Sequence, residues 1–316
     1  MNAVIKSVGV YLPEFIATND ELAKTVDTSD EWIKSHTGIA ERRIVKDSSI
    51  LTADIGYFAA KNAIEKAGIS PSQIDGIIAG TMSPDKQFPA VACYIQAKLG
   101  CEGAFAFDIT AACGFIPPAL NTAALMIRSG QAKNILVVGA EICSRILDWN
   151  DRNTCILFGD GAAAVLLSAS EEEERGFVST ALAANGNLAS ILYLNTLGAE
   201  AAFLRMEGTA VYKLAVVELG AVTQKALESA GLSLSDIDLF VPHQANIRII
   251  QSVGKRLKLP AEKIMINVDR YGNTSSASIP IALYEAEQQG RLKPGMLVAM
   301  TAIGGGMNWG CTLFRW

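Results

Sequence analysis

Apolar and polar positions along the 316-residue chain fall into two rhythms. Apolar residues recurring every three to four positions predict helices over 51–67, 89–99, 117–129, 207–230, 244–257 and 279–289. Between them lie apolar runs of strand length at 105–109, 135–139, 162–167, 264–268, 296–301 and 311–315, and two further strands follow the Ser-rich turns after Gly68 and Gly231. Those two glycines stand where a helical pattern stops, the place for a left-handed residue that ends a helix. Strands alternating with helices predict α/β layers with largely parallel sheets. The Gly159-Asp160-Gly161 segment between apolar runs reads as a hairpin turn, which makes the sheet arrangement mixed.

The pattern also repeats. AIEKAGISPSQIDGII at 63–78 and ALESAGLSLSDIDLFV at 226–241 share eight identities in sixteen positions at an offset of 163. At the same offset Pro117-Pro118-Ala119-Leu120 falls on Pro280-Ile281-Ala282-Leu283. Two copies of one α/β unit, fused near the acidic run 171–174, account for this and divide the chain into halves 1–170 and 171–316.

Composition narrows the function. With 50% apolar and 19% charged residues the chain can bury a large core. Its apolar runs stop short of the roughly 18 residues that cross a membrane, and its start lacks the charged-then-apolar pattern of a signal peptide. The expectation is a soluble, cytoplasmic protein that does not bind membranes. A net charge of −5 argues against nucleic acid as partner, so an acidic partner has to meet a local basic patch. Six cysteines without a Cys-x-x-Cys pair, and two histidines, argue against a zinc cluster or a disulfide framework, and most of the thiols are expected to be buried packing residues.

One cysteine is placed differently. In FAFDITAACGFIPPAL, Cys113 follows an apolar strand and precedes prolines suited to the first turn of a helix. A thiol there faces the positive end of the helix, which is expected to lower its pKa and make it the one acidic thiol of the six. His243, in Val241-Pro242-His243-Gln244-Ala245-Asn246, leaves a strand at its carboxyl end, where α/β folds place ligands; a satisfied structural histidine fits the same pattern. Asn273, in DRYGNTSSAS, reads first as a turn asparagine. The three glycines 304–306 in AIGGGMNWG allow close backbone approach and aim N–H groups at an oxyanion, and they equally suit a tight turn. His36, in EWIKSHTGI, reads as a surface or cleft residue.

Taken together, TSDEWI, Cys113, FGDGAAAV, VPHQANIRII, DRYGNTSSAS and AIGGGMNWG, in this order and spacing, resemble β-ketoacyl-acyl-carrier-protein synthase III of the thiolase-like condensing enzymes, over essentially the whole chain. The resemblance implies a five-layer αβαβα thiolase-like fold of two duplicated halves with mixed sheets, a homodimer, and a Cys113–His243–Asn273 catalytic triad. It implies condensation of a short acyl-CoA primer with malonyl-acyl-carrier-protein through an acyl-cysteine, with acyl-CoA a substrate and no cofactor. The oxyanion donors would be the N–H groups of Cys113 and Gly305. By the same match Trp32 and Arg152 lie at the mouth that holds the CoA adenine, Gly208 and Asn246 along the pantetheine tunnel, and Phe88 reaches a neighbouring subunit's acyl pocket. Read alone, Trp32 equally fits a core aromatic and Arg152 a solvated charge. Arg248, Lys255 and Arg256 give an acidic acyl carrier protein a place to dock; Arg248 and Lys255 share a helix face.

The sequence departs from the family at four places. Gly114 and Phe115 follow the cysteine directly, where the family usually has an intervening alanine or serine. His36 replaces an arginine, Ile303 and Met307 replace phenylalanines beside the glycines, and the loop 187–204 is short and apolar. Rival readings are a related condensing enzyme of secondary metabolism, a Cys-His-Asn hydrolase, and a non-catalytic companion subunit, against which the retained cysteine speaks.

Overall fold

The structure, a computed structural model, describes residues 1–172, 174–195 and 203–316. Two sheets form its frame. The first has strands in the order Asn2–Tyr11, Gly161–Ser170, Asn134–Glu141, Gly76–Gly80, Phe105–Asp108. The second has the order Leu239–Pro242, Leu297–Gly304, Asn308–Arg315, Gly176–Ala184. Parallel pairing joins Gly76–Gly80 to both of its neighbours and Leu239–Pro242 to Leu297–Gly304; the remaining pairs are antiparallel. Strands such as Asn134–Glu141 and Leu297–Gly304 are buried along nearly their whole length, which is why they read as continuous apolar runs and not as alternations.

Three cores stack these sheets into five layers. Helices Ile116–Arg128 and Ser278–Gln288 lie between the sheets, where Leu120, Ala123 and Leu283 meet Val137 and Val165 of one sheet and Val241 and Met300 of the other. Helices Thr52–Ala67 and Val91–Leu99 cover the outer face of the first sheet, against Ile77, Leu136 and Leu166. Helices Gly208–Ser229 and Ile247–Arg256 cover the outer face of the second, against Phe240, Ala299 and Leu313. The layers therefore run α, β, α, β, α, as the resemblance implies. The repeat offset is carried into three dimensions: Asn134–Glu141 moved by 163 is Leu297–Gly304, and the turn Pro71–Gln73 becomes Leu234–Asp236. Among the described residues no helix is long and apolar enough to cross a membrane.

Two expected elements are absent, and two strands of the main sheets were not foreseen. The run 264–268 is not a strand: Ile264 makes one isolated bridge to Phe240, and a helical turn starts at Val268. The backbone turns away at Asn267, whose N–H is taken by the Gln244 side chain and not by a strand. Gly159-Asp160-Gly161 is no hairpin turn either. Gly161 starts a strand whose partner is Tyr11 onward, while the Asp160 carboxylate accepts from Val45 N–H, Ser144 N–H and the Ser144 hydroxyl. Strand Asn2–Tyr11 escapes the alternation test because its register shifts between Ile5 and Ser7. Gly176–Ala184 escapes it because GFVSTALAA is rich in small residues with little strand preference. Of the apolar loop 187–204, the pair Leu192–Leu194 with Leu204–Met206 forms a small two-stranded sheet, and 196–202 lie outside the described residues.

Candidate active site

Cys113, His243 and Asn273 come together from three connections. Cys113 sits in the turn Ala112–Gly114 between strand Phe105–Asp108 and the helix that starts at Ile116. His243 directly follows strand Leu239–Pro242, and Asn273 follows the short helix Val268–Tyr271. All three line one cavity of about 770 Å³. Cys113 also lines an apolar side cavity of about 190 Å³ with Leu192, Leu204 and Gly305. The thiol thus stands where the larger cavity meets the smaller, apolar one.

The thiol is not acidic in this state, contrary to the expectation drawn from the helix N-terminus. Cys113 is buried, and burial pushes its pKa up to about 12; the nearby Glu141 carboxylate pushes the same way, while hydrogen bonds from the Ser275 and Asn273 side chains act against it. Desolvation outweighs the helix end because the positive end is a partial charge and the thiolate would lose its hydration entirely. Nor is Cys113 the one distinctive thiol by exposure: Cys93 is exposed and the other five cysteines are buried.

His243 is neutral. Burial holds it down at about 4, and Nδ1 lies 2.5 Å from the Ser278 hydroxyl. Asn273 uses its Oδ1 locally, accepting the Ser275 N–H at 2.8 Å, which leaves its amide N–H₂ for the thiol side. Ser275 takes φ +47° and places its hydroxyl 3.3 Å from Cys113 Sγ; Ala112, at the start of the cysteine turn, takes φ +46°. The loop 267–273 is fastened by Glu285, whose carboxylate accepts from Asn267, twice from Arg270 and from the Tyr271 hydroxyl at 2.7–2.9 Å.

Behind these groups lies Glu141, fully buried at the carboxyl end of its strand. It accepts from Ser276 Oγ at 2.7 Å, Ser83 Oγ at 2.9 Å, Thr81 Oγ1 and Met82 N–H at 3.1 Å, and Ser276 N–H at 3.3 Å. Burial raises its pKa against the pull of these donors. On the other side the glycine loop packs on the cysteine turn: a Cβ on Gly304 would fall 2.3 Å from Ala111 O and 2.4 Å from Gly114 N. Gly114 is equally confined, because a Cβ there would lie 2.0 Å from Asn308 Oδ1. Asn308 also donates to Gly305 O at 2.6 Å, so it clasps both turns and accounts for glycine directly after the nucleophile.

The mouth of the large cavity gathers several of the expected binding residues. Trp32 stacks on His36 at 4.1 Å, and the Arg152 guanidinium lies over the Trp32 ring at 4.7 Å. His36 Nδ1 donates to Trp32 O at 2.7 Å, since a carbonyl can only accept. Asn246 caps the helix Ile247–Arg256 with its Oδ1 and donates to His36 O, tying the two sides of the mouth together. Gly208, at the start of helix Gly208–Ser229, lines the same cavity. Arg248, Lys255 and Arg256 are exposed; Arg248 is held by Ser35 O, and the stem of Arg256 lies over Gly220. Phe88 stands apart, 82% exposed and lining neither cavity.

Sequence reading passed over Glu141, Ser275 and Ser278. A lone carboxylate closing the apolar run NILVVGAE was a usable signal for the first, being a charge at the carboxyl end of a buried strand. The two serines lay inside a motif from which only the asparagine was singled out.

Comparison with known proteins agrees with the geometry. The family model described as 3-oxoacyl-[acyl-carrier-protein (ACP)] synthase III matches residues 107–186, and that of its C terminal matches 227–316. The chain is 48% identical over 321 residues to β-ketoacyl-[acyl-carrier-protein] synthase III of Xanthomonas campestris pv. campestris, covering 99% of this chain and 98% of that one. It is 46% identical to the protein of the same name from Aquifex aeolicus, over all of both chains. The crystal structure of 3-oxoacyl-[acyl-carrier-protein] synthase III from Aquifex aeolicus VF5 superposes with a TM-score of 0.95, covering 99% of this chain and 100% of that one.

Proposed function

Because the chain belongs to the 3-oxoacyl-[acyl-carrier-protein] synthase III family, an acyltransferase family of thiolase-like condensing enzymes that initiates fatty-acid synthesis, we propose that it joins a short acyl-CoA primer to malonyl-acyl-carrier-protein through Cys113, His243 and Asn273. The observation that carries this reading is the place of Cys113 at the junction of the two cavities. The larger cavity suits the pantetheine arm of either thioester, and the small apolar one suits the primer's alkyl group.

In the first half-reaction Cys113 Sγ attacks the acyl-CoA carbonyl. The tetrahedral oxyanion is met by the N–H groups of Cys113 and Gly305, and CoA leaves carrying the thiol's proton. In the second, the malonyl thioester loses CO₂, and the enolate oxygen is held by His243 and Asn273 as two neutral hydrogen-bond donors. The enolate carbon attacks the acyl-cysteine carbonyl, the Cys113 sulfur leaves, and the β-ketoacyl product departs on the carrier protein. The thiol regains its proton from solvent. Acyl-CoA is a substrate here, and no cofactor enters the proposal.

At the mouth, Trp32 and Arg152 take the CoA adenine, with Gly208 and Asn246 along the arm; Arg248, Lys255 and Arg256 receive the acidic carrier protein. The enzyme works in the cytoplasm as a homodimer. Strand Phe105–Asp108 is an edge strand among the described residues, and the exposed Phe88 precedes Val91, whose N–H donates to Asp108, so a second copy can extend the sheet and cover the aromatic. The halves 1–170 and 171–316 are the two duplicated units. Intact-mass spectrometry after mixing with acetyl-CoA tests the proposal: an acetyl adduct on Cys113, discharged by malonyl-acyl-carrier-protein to a β-ketoacyl product, is expected, and a protein that stays unmodified overturns it.

A further inference from the structure

The Ser278 hydroxyl has two partners among the described residues. It lies 2.5 Å from His243 Nδ1 and 3.3 Å from the backbone nitrogen of Gln244. These two contacts decide where its proton goes. A backbone N–H can only donate, so Gln244 occupies a lone pair of the serine oxygen, and the serine proton is left with Nδ1 as its acceptor. Were Nδ1 protonated instead, the hydroxyl hydrogen would be buried without an acceptor. His243, Gln244 and Ser278 are exposed by 3%, 1% and 2%, too little for bulk water to supply one. Gln244 is itself fixed, because its side chain donates to Pro242 O and Met265 O and accepts from Asn267 N–H.

We propose that Ser278 is a positioning residue that fixes His243 as the Nε2–H tautomer, so that the imidazole offers the cavity a hydrogen-bond donor and no lone pair. The inference rests on the reading of His243 as an enolate donor and specifies how that donor is made. With Nδ1 turned to Ser278, the Nε2 edge of the ring is the one that faces the cavity His243 lines. An Nε2 that already carries hydrogen cannot take the proton of Cys113. The sulfur's own hydrogen-bond partners are the hydroxyl of Ser275 and the side chain of Asn273. Acylation then balances without a base: the Cys113 S–H bond and the acyl–S(CoA) bond break, the acyl–S(Cys113) bond and the CoA S–H bond form, and one proton passes from one sulfur to the other. His243 is kept for the step in which charge appears on the malonyl thioester.

The chain has two histidines, His36 and His243, so ¹⁵N-histidine labelling of the whole protein gives a spectrum that a His36→Gln variant assigns. The expected result is a His243 ring protonated on Nε2 and unprotonated on Nδ1 between pH 6 and 8; a ring protonated on Nδ1 overturns the proposal without any variant being needed. Ser278→Ala should mix the tautomers and slow CO₂ release from malonyl-acyl-carrier-protein about 10-fold, less than losing the donor itself. Its acylation by acetyl-CoA and the KM for the carrier protein should stay within about twofold, and Ser278→Thr, which keeps the hydroxyl, should restore the Nε2–H spectrum. An alanine variant with an unchanged tautomer and unchanged CO₂ release also overturns it. Full CO₂ release by His243→Ala would instead sink the enolate-donor reading, whichever tautomer the spectrum shows.

Discussion

The sulfur of Cys113 and the hydroxyl of Ser275 lie 3.3 Å apart although 162 positions separate them in the chain. Cys113 follows a strand of the first sheet, and its polar contact leads into the helix Ser278–Gln288 between the sheets. The cavity exists only when the two sheets are packed together, and chemistry at this site reports on that packing.

The two half-reactions should separate by mutation. Cys113→Ala should abolish the acyl adduct and still release CO₂ from malonyl-acyl-carrier-protein. His243→Ala and Asn273→Ala should still acylate Cys113 while losing CO₂ release by roughly 10²–10³-fold each, the effect of one oxyanion-hole donor, about 2.7–4 kcal/mol. Intact-mass spectrometry follows the first step and CO₂ evolution the second. Blocked acylation with intact CO₂ release in Asn273→Ala would reverse the assignment of that residue.

The pH dependence of His243 has a definite sign. Its pKa falls from 6.5 to about 4 on folding, so between these values the unfolded chain binds the extra proton. The stability it contributes is complete above pH 6.5 and is lost as pH drops toward 4, roughly 3 kcal/mol over the window. Glu141, whose pKa is raised on folding, acts in the opposite sense above its unfolded value. Urea unfolding of the wild type and of His243→Gln at pH 7 and pH 5 isolates the histidine, and the wild type should lose more stability between the two. CO₂ release by Cys113→Ala should stay level from pH 8 to pH 5; a midpoint near 6.5 would contradict the buried, neutral ring.

Glu141→Gln should have two effects of opposite direction. The carboxylate's partners from Thr81, Met82, Ser83 and Ser276 are all donors, so an amide N–H₂ would face donors and cost about 1–3 kcal/mol for each group left unsatisfied. Removing the charge also removes a repulsion that disfavours the Cys113 thiolate. Chemical denaturation should show a less stable protein, and iodoacetamide at pH 8 should alkylate Cys113 faster than in the wild type.

Neighbouring glycines should differ sharply. A Cβ at Gly304 meets backbone atoms of the cysteine turn at 2.3 and 2.4 Å, whereas at Gly305 the nearest atom is Leu192 O at 2.9 Å, on the small two-stranded sheet. Gly304→Ala should displace the cysteine turn, destabilise the fold by about 1–3 kcal/mol and abolish acylation. Gly305→Ala should push only the small two-stranded sheet away, cost less stability than Gly304→Ala and acylate more slowly. Thermal melts and acylation rates distinguish them.

Reversing Lys255 and Arg256, which do not line the large cavity, to glutamate should raise the carrier-protein KM, more so as salt is lowered, and leave self-acylation by acetyl-CoA unchanged. An unchanged KM would make this face an ordinary solvated one.

Much of this arrangement was legible before any coordinates. Cys113, His243 and Asn273 each follow a strand or its remnant, and the 163-residue offset falls on matched elements of the two sheets. What escaped depends on contacts between distant segments. The thiol's raised pKa comes from burial under the second half, which no local pattern carries. The failure at 264–268 has the same cause, because a single glutamine side chain takes the N–H that a strand would need. Asp160 likewise binds three donors from elsewhere, so a local Gly-Asp-Gly signal for a hairpin was misleading.

The matched left-handed residues Ala112 and Ser275 are related by the repeat offset, and so are the turns that follow them, Ala112–Gly114 and Ser275–Ala277. Cys113 is therefore the counterpart of Ser276, and Glu141 that of Gly304. In one unit the strand end carries a carboxylate that plugs the space behind the turn and accepts both donors of Ser276. In the other the same place holds a glycine, and the backbone closes directly on the nucleophile. Two turns of one backbone shape therefore have opposite backing, a buried carboxyl behind the serine and bare backbone behind the thiol.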